Sequence, residues 1–171
     1  ALGARPETVH VTGSIKFDGA QTDRSSPAVE RLRQLWCLPQ DAFVLLAGST
    51  QDPEERMAVD VLRDMLPACP SARLIVVPRH PERFEEVAQM LDQAGQPWER
   101  RSRCEESTAT AARILLVDVV GELSAWWGLA DVGFVGGSLG RRGGQNMIEP
   151  AGYGVAVCFG PNTWNFRDIV T

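Results

Sequence analysis

The feature that most constrains the fold is the stretch from Asp131 to Gly160, in which two short apolar runs enclose a glycine-rich segment. The runs Val132–Val135 and Val155–Phe159 are rich in β-branched and aromatic residues and too short for core helices. Such runs are typical of buried strands in a parallel sheet. Gly136 and Gly137 end the first run. The stretch therefore predicts a strand, a loop, a helix and a second strand.

The segment between the two runs predicts the loop and the helix. Ser138 to Gly144 combines glycines with two arginines, which favours neither a helix nor a strand. Met147 to Tyr153 is predicted to form a short helix that Asn146 caps at its start and Gly154 ends.

This arrangement suggests a binding pocket, because open α/β sheets bind ligands at the carboxyl ends of their strands. Glycines such as Gly143 and Gly144 let backbone approach a ligand, and the first amides of a helix suit an anion. Glu149, about one turn into the helix, is an acceptor that could hold two sugar hydroxyls. The alternative is a tight turn in which the glycines only permit positive φ.

The rest of the chain alternates helical and strand patterns. Further strands are predicted at 42–47, 73–77 and 114–120, with a possible edge strand at 98–103. Helices are predicted at 28–37, after Pro53 and after Pro81. The pattern predicts one α/β domain over residues 1–171, a Rossmann-like doubly wound parallel sheet of about six strands.

The helix after Pro53 has the clearest start signal. Asp52 precedes Pro53, and Glu55 follows three residues after Asp52, which predicts a capping box. The apolar positions predicted to form its buried stripe are Met57, Ala58, Val61, Leu62, Met65 and Leu66.

Several polar residues follow the predicted strands directly. Ser49 and Thr50 follow the first strand, Arg79 follows the second, and Gly121 and Glu122 follow the fourth. The carboxyl ends of parallel strands share one edge, so these residues are expected near the glycine loop. An arginine there can bind a phosphate or carboxylate through two hydrogen bonds. The alternatives are turn chemistry for Ser49 and Thr50 and a solvated charge for Arg79.

Composition excludes some classes of function. The formal net charge is −5, so nucleic acid is not an expected partner. Two histidines and four scattered cysteines give no metal-binding spacing, and Cys158 is predicted to be a small core residue. No apolar run approaches the length of a membrane helix.

The chain starts without Met and stops inside a predicted helix. We interpret it as a fragment of a longer protein.

Five segments together resemble one known family, the 3-deoxy-D-manno-octulosonic acid (Kdo) transferases of lipopolysaccharide synthesis, in their carboxyl-terminal domain. They cover nearly the whole chain in the same order and with similar spacing. The segments are VTGSIKFD (Val11–Asp18), LLAGST (Leu45–Thr50), VPRHPERF (Val77–Phe84), GELSAWWGLADVGFVGGSL (Gly121–Leu139) and RGGQNMIEPAGYGVAVCFGPNTWNF (Arg142–Phe166). The chain has Gln145 where family members often have His, and a glutamine cannot carry a proton, so an acid role there is not expected.

The resemblance implies the second lobe of a two-lobe, GT-B glycosyltransferase. This lobe would hold CMP-Kdo, and transfer to a lipid A precursor would invert the sugar without a bound metal or other cofactor. The resemblance also implies that the catalytic glutamate and the membrane anchor belong to an amino-terminal lobe. The fragment would then be soluble and inactive alone, and the intact protein would lie on the cytoplasmic face of the bacterial inner membrane.

The resemblance further implies roles for individual residues. Arg79 and the amides from Gly143 to Asn146 would neutralise the departing monophosphate, and Glu149 would bind the ribose. Backbone groups from Gly121 to Leu123 would take the cytosine, and Lys16 the sugar carboxylate. The full set of implied donor-binding residues is Lys16, Ser49, Thr50, Arg79, Gly121, Glu122, Leu123, Ser138, Gly143, Gly144, Asn146 and Glu149.

Two other functions remain open at this point. One is a lobe of a transferase or epimerase that uses a uridine nucleotide sugar. The other is a nucleotide-binding module without chemistry.

Overall fold

A computed structural model describes residues 3–10, 19–104 and 111–170. Its centre is a six-stranded sheet in which every pair of neighbouring strands is parallel. The spatial order is β3-β4-β2-β1-β5-β6. The strands are β1 (Phe43–Thr50), β2 (Ala72–Pro78), β3 (Trp98–Arg100), β4 (Ile114–Leu116), β5 (Val132–Val135) and β6 (Ala156–Phe159).

Helices cover both faces of the sheet. They are α1 (Pro27–Leu35), α2 (Glu54–Met65), α3 (Phe84–Asp92), α4 (Leu123–Trp127), α5 (Ile148–Gly152) and α6 (Arg167–Val170). Short 3₁₀ turns occupy Pro6–Thr8, Pro81–Arg83, Arg101–Arg103 and Trp164–Phe166. The prediction of a doubly wound α/β domain with about six strands is confirmed.

The core forms two layers because successive side chains of a strand point to opposite faces. On β1, Val44 and Leu46 pack with α1 and with the buried indoles of Trp126 and Trp127. Leu45 lies on the opposite face of the sheet, in the cluster that includes residues of α2 and α3.

The strand order places a switch point between β1 and β5. From β1 the chain moves outward through β2 to the outermost strand β3, comes back as β4 between β3 and β2, and then crosses to the other side of β1 as β5. At such a reversal the neighbouring connections diverge and leave a crevice at the carboxyl ends of the strands. Strands β1, β2, β4 and β5 all end at this edge of the sheet, so the segments that follow them begin there.

The start of α2 differs from the predicted capping box. The helix begins at Glu54, as the Asp-Pro signal indicates, but no side chain caps its first amides. Glu55 is buried and instead accepts hydrogen bonds at 2.5 and 3.3 Å from Arg83. The predicted apolar stripe is also partly wrong: Met57 and Val61 are exposed, while Glu54 and Glu55 occupy buried positions.

The last strand also differs from prediction. β6 is an edge strand, and Cys158 on it is exposed, so the prediction that Cys158 is a core residue is wrong. Its sequence resembles that of a central strand, but β5 is its one neighbour among the described strands. The predicted edge strand at 98–103 is confirmed as the short β3.

Residues 3–10, 19–104 and 111–170 contain neither a membrane-spanning helix nor a cluster of metal ligands. None of the helices in these ranges has the length and apolarity needed to cross a bilayer. No group of three or more His, Cys, Asp or Glu side chains in these ranges is arranged to hold a metal ion.

Candidate functional site

A cavity of about 370 Å³ opens at the switch point. It receives residues from the ends of β1, β2 and β5, from the segment before α4 and from α5. Six of the predicted site residues line it together: Ser49, Arg79, Gly121, Leu123, Asn146 and Glu149. Residues that sequence reasoning did not assign to the site complete the wall, namely Ser124, Trp127, Val135, Gln145 and Phe166.

Ser49 reaches the cavity through an unusual backbone conformation. Its φ is 54°, in the left-handed region, and the pairing of β1 with β2 shifts register between Gly48 and Thr50. A non-glycine residue in this region is uncommon and costs energy, so its surroundings must hold it there. The bulge turns Ser49 towards the cavity, where its hydroxyl has no hydrogen-bond partner among the described residues.

Arg79 lies at the end of β2, across the cavity from α5. Its backbone N–H donates to the carbonyl of Thr50 at 3.0 Å, which fixes the residue beside the end of β1. The side chain is exposed, and within the described ranges no acidic group pairs with its guanidinium. This cation is therefore available to an anion in the cavity.

Glu149 is held in place by Asn146. The Asn146 Nδ2 donates to Glu149 Oε1 at 2.8 Å, and Asn146 Oδ1 accepts from the backbone N–H of Ile148 at 3.1 Å. The N-cap of α5 is Met147, so the prediction that Asn146 is the N-cap is one residue too early, although its Oδ1 still binds the first helical amide. Asn146 also orients the Glu149 carboxylate, which keeps further acceptor capacity. Burial raises the pKa of the neighbouring Tyr153, and the charges of Asp23 and Glu149 add to that effect.

The glycine loop supplies fewer free amides than predicted. The N–H of Gly144 is turned inward and donates to the carbonyl of Gly137 at 2.9 Å, so the prediction that it faces the ligand is wrong. The N–H groups of Gln145 and Asn146 have no hydrogen-bond partner in the described part of the chain. Helix α5 has five residues, so its dipole is small and these two amides are the relevant anion donors.

Gly143 lies against the last segment of the chain instead of the cavity. Its φ is +84°, and a Cβ at this position would overlap the indole of Trp164. Its carbonyl accepts from the backbone N–H of Asn165 at 3.1 Å. Glycine is therefore required here for both the conformation and the close approach.

Three other predicted site residues have internal partners. Thr50 is fully buried, and its hydroxyl donates to the carbonyl of Val77. Ser138 is also fully buried, with its hydroxyl donating to Val135 at 2.7 Å and accepting from Gly160 at 2.8 Å. Glu122 accepts two hydrogen bonds from Arg101 at 2.7 and 2.9 Å. The structure therefore argues against the Thr50 and Ser138 hydroxyls as direct ligands and indicates that they support the loops. The predicted cytosine contact of Glu122 uses its backbone, which the bonds to Arg101 do not test, so it stays a prediction.

Lys16, and the segment Val11–Asp18 that contains it, lie outside the described residues. Its predicted contact with the sugar carboxylate stays a prediction.

The residue that sequence reasoning missed is Glu54. Its carboxylate is buried and accepts from the backbone N–H groups of Gln51 and Gly137, both at 2.9 Å, and of Leu139 at 3.3 Å. One side chain thus ties the end of β1 to the glycine loop. An acidic residue in the first turn of a helix is common, so nothing in the sequence indicated that Glu54 binds the glycine loop. Only the burial of its carboxylate in the folded protein reveals this role.

Comparison with known proteins identifies the family. The crystal structure of the C-terminal CMP-Kdo binding domain of WaaA from Acinetobacter baumannii matches with a TM-score of 0.75 and 38% sequence identity. The match covers 83% of this chain and 73% of that domain. This chain belongs to the Kdo transferase family. The resemblance seen in the sequence motifs is confirmed.

Curated Kdo transferases align over nearly the whole chain. The Haemophilus influenzae enzyme is 37% identical over 98% of this chain, and the Bordetella pertussis enzyme is 38% identical over 92%. These alignments cover 39% and 37% of the two enzymes, so the chain spans about two fifths of the length of these Kdo transferases. No family model matches the chain.

Proposed function

We propose that this chain is the donor-binding half of an inverting glycosyltransferase, which transfers Kdo from CMP-Kdo to a lipid A precursor. The observation that carries the proposal is the cavity at the switch point. There the Arg79 guanidinium and the Ser49 hydroxyl, neither with a partner among the described residues, meet the oriented carboxylate of Glu149. The solved relative is described as a CMP-Kdo binding domain.

The phosphate of the donor would lie between Arg79 and the start of α5. A guanidinium can bind two phosphate oxygens at once, and the hydroxyl of Ser49 and the amides of Gln145 and Asn146 add neutral donors. When the bond between the anomeric carbon and the phosphate oxygen breaks, CMP leaves with additional negative charge. Donors already in place at that oxygen lower the barrier without a metal ion.

The nucleoside would be recognised by its sugar and base separately. Glu149, oriented by Asn146, can accept hydrogen bonds from ribose hydroxyls. Backbone groups at Gly121 and Leu123 border the same cavity and are the proposed contacts of the cytosine. Gly121 has a φ of +93°, a conformation that favours glycine, and a Cβ at this position would meet no other atom within 4 Å.

The remaining parts of the reaction belong to a partner lobe in this proposal. That lobe would supply the glutamate that takes a proton from the acceptor hydroxyl, bind the lipid A precursor and anchor the protein at the cytoplasmic face of the inner membrane. Gln145 contributes no proton because a carboxamide does not titrate. The isolated chain is therefore expected to bind the nucleotide and not to transfer the sugar.

Calorimetry with nucleotides tests the proposal. CMP should bind the folded chain more tightly than UMP. UDP should show no advantage, because the described residues that line the cavity provide one guanidinium, enough for one phosphate. A preference for UDP would favour a transferase that uses uridine nucleotide sugars. A folded sample that shows no response to millimolar CMP would refute donor binding.

Replacing Glu149 with glutamine is expected to weaken CMP binding by roughly 1.5–3 kcal/mol, the range for a hydrogen bond to a charged group. The same change should affect deoxy-CMP, which lacks the 2′-hydroxyl, much less. Calorimetry with both nucleotides measures the difference. An equal loss for the two nucleotides would contradict the ribose assignment.

A further inference from the structure

The loop between β4 and α4, residues 118–122, borders the switch-point cavity with its middle part. Gly121 lines that cavity, and residues 119–121 line an adjoining cavity of about 130 Å³, to which Arg79 also belongs. The backbone N–H and carbonyl groups of residues 119–121 have no hydrogen-bond partner among the described residues. The loop therefore brings free polar backbone groups to the place where we expect the base of the nucleotide.

The short turn after β3 holds this loop at both ends. Arg101 donates from Nε and Nη2 to the two carboxylate oxygens of Glu122, at 2.9 and 2.7 Å. Ser102 donates from its backbone N–H and its hydroxyl to the two carboxylate oxygens of Asp118, at 2.8 and 2.6 Å. Two adjacent residues thus bind the first and last residues of the 118–122 loop.

The carboxylates that accept these hydrogen bonds have further partners. The buried indole of Trp126 donates from Nε1 to Glu122 Oε2 at 3.2 Å, and the Asp118 side chain, 6% exposed, pairs with Arg100 at 3.7 Å. A pair of parallel hydrogen bonds fixes direction as well as distance. The loop therefore cannot shift relative to the turn after β3 without breaking several hydrogen bonds.

We propose that Arg101 and Ser102 are positioning residues that set the preference of the site for cytosine over uracil. Neither residue lines the cavity, so both act through the loop that they hold. Cytosine presents an amino donor where uracil presents a carbonyl acceptor. Backbone groups held in one orientation distinguish these two patterns, whereas a movable loop can turn a matching group to either base. The inference rests on the proposed function, because it assigns base selectivity within the same site.

Calorimetry with three ligands tests the inference. Arg101→Ala should weaken CMP binding about tenfold, as expected for the loss of one or two net hydrogen bonds to the base. The affinities for UMP and ribose 5-phosphate should change by no more than about twofold, because their phosphate contacts lie on other segments. Partial unfolding would lower the apparent affinity for all three ligands alike, so the ratio of CMP to UMP affinity isolates the effect on the base.

Matched variants separate positioning from a general loss of stability. Arg83→Ala breaks another arginine–glutamate pair, with Glu55, in which the arginine side chain is 16% exposed against 17% for Arg101, and it should leave the ratio unchanged. Arg101→Lys keeps one hydrogen bond and should give an intermediate ratio. Arg101→Ala/Glu122→Ala should lower the ratio no further than Arg101→Ala, since both changes remove the same contact.

The unmodified chain provides a test that does not require any variant to fold. In nitrogen–proton NMR spectra, CMP should shift the amide signals of residues 119–121 and the Nε–H signal of Arg101, and ribose 5-phosphate should not. Loop signals that CMP leaves in place would overturn the inference, as would equal affinity of the unmodified chain for CMP and UMP.

The same measurements separate this inference from the proposed function. No response of the unmodified chain to CMP refutes the proposed function itself. CMP binding by the unmodified chain, with an unchanged ratio or an equal loss for all three ligands in Arg101→Ala, refutes the positioning role alone.

Discussion

Replacing Glu54 with glutamine is expected to lower the free energy of unfolding by about 3–5 kcal/mol. The buried carboxylate accepts three backbone N–H groups, two of them from the glycine loop. A carboxamide has nearly the same shape but points an NH₂ group at one or more of these donors. At least one buried amide then loses its partner, and the site acquires donors that face each other. Urea unfolding followed by circular dichroism measures the change.

A conservative control separates this effect from a general loss of charge. Glu30 on α1 is exposed, and its replacement by glutamine should change stability by no more than about 0.5 kcal/mol. If Glu54→Gln proved as mild as Glu30→Gln, the buried carboxylate would not be the connection between β1 and the glycine loop.

Replacing Arg79 with alanine is expected to weaken CMP binding about 100-fold, or about 2.7 kcal/mol. The cavity has no second arginine or lysine among its lining residues within the described ranges. The phosphate would therefore lose its charged donor and retain only the hydroxyl of Ser49 and backbone amides. Isothermal titration calorimetry of the folded variant measures the loss.

Two further variants define the nature of the Arg79 contact. Arg79→Lys keeps the charge but loses the planar pair of donors, so it should recover only part of the affinity. Arg103→Ala removes an exposed arginine that follows the outermost strand β3 and does not line the cavity, so it should leave CMP affinity unchanged. Wild-type affinity in Arg79→Ala would show that the phosphate binds elsewhere.

The sequence predicted the fold well because the α/β pattern is repeated and local. Apolar runs such as Val132–Val135 identify buried strands, and Pro53 and Pro81 mark helix starts without reference to distant residues. Parallel strands then bring their carboxyl ends to one edge, which is why Ser49, Arg79 and Glu149 could be placed near each other from their positions alone.

The predictions that failed concern burial and partner choice. Glu54 and Glu55 are adjacent in one helical turn, yet one binds the glycine loop and the other binds Arg83. Thr50 follows Ser49 directly, but the bulge at the end of β1 turns Ser49 to the cavity and leaves Thr50 buried. Cys158 occupies a strand whose composition suits a central position but which forms an edge of the described sheet.

The sequence by itself determined the strands, the helices and the edge of the sheet at which the site must lie, because these follow from local periodicity and from the geometry of parallel strands. Its motifs also indicated the family. Only the tertiary structure decided which polar groups at that edge remain free to bind a ligand. A hydroxyl, amide or carboxylate is available only when no neighbouring group satisfies it, and those neighbours come from segments far apart in the chain.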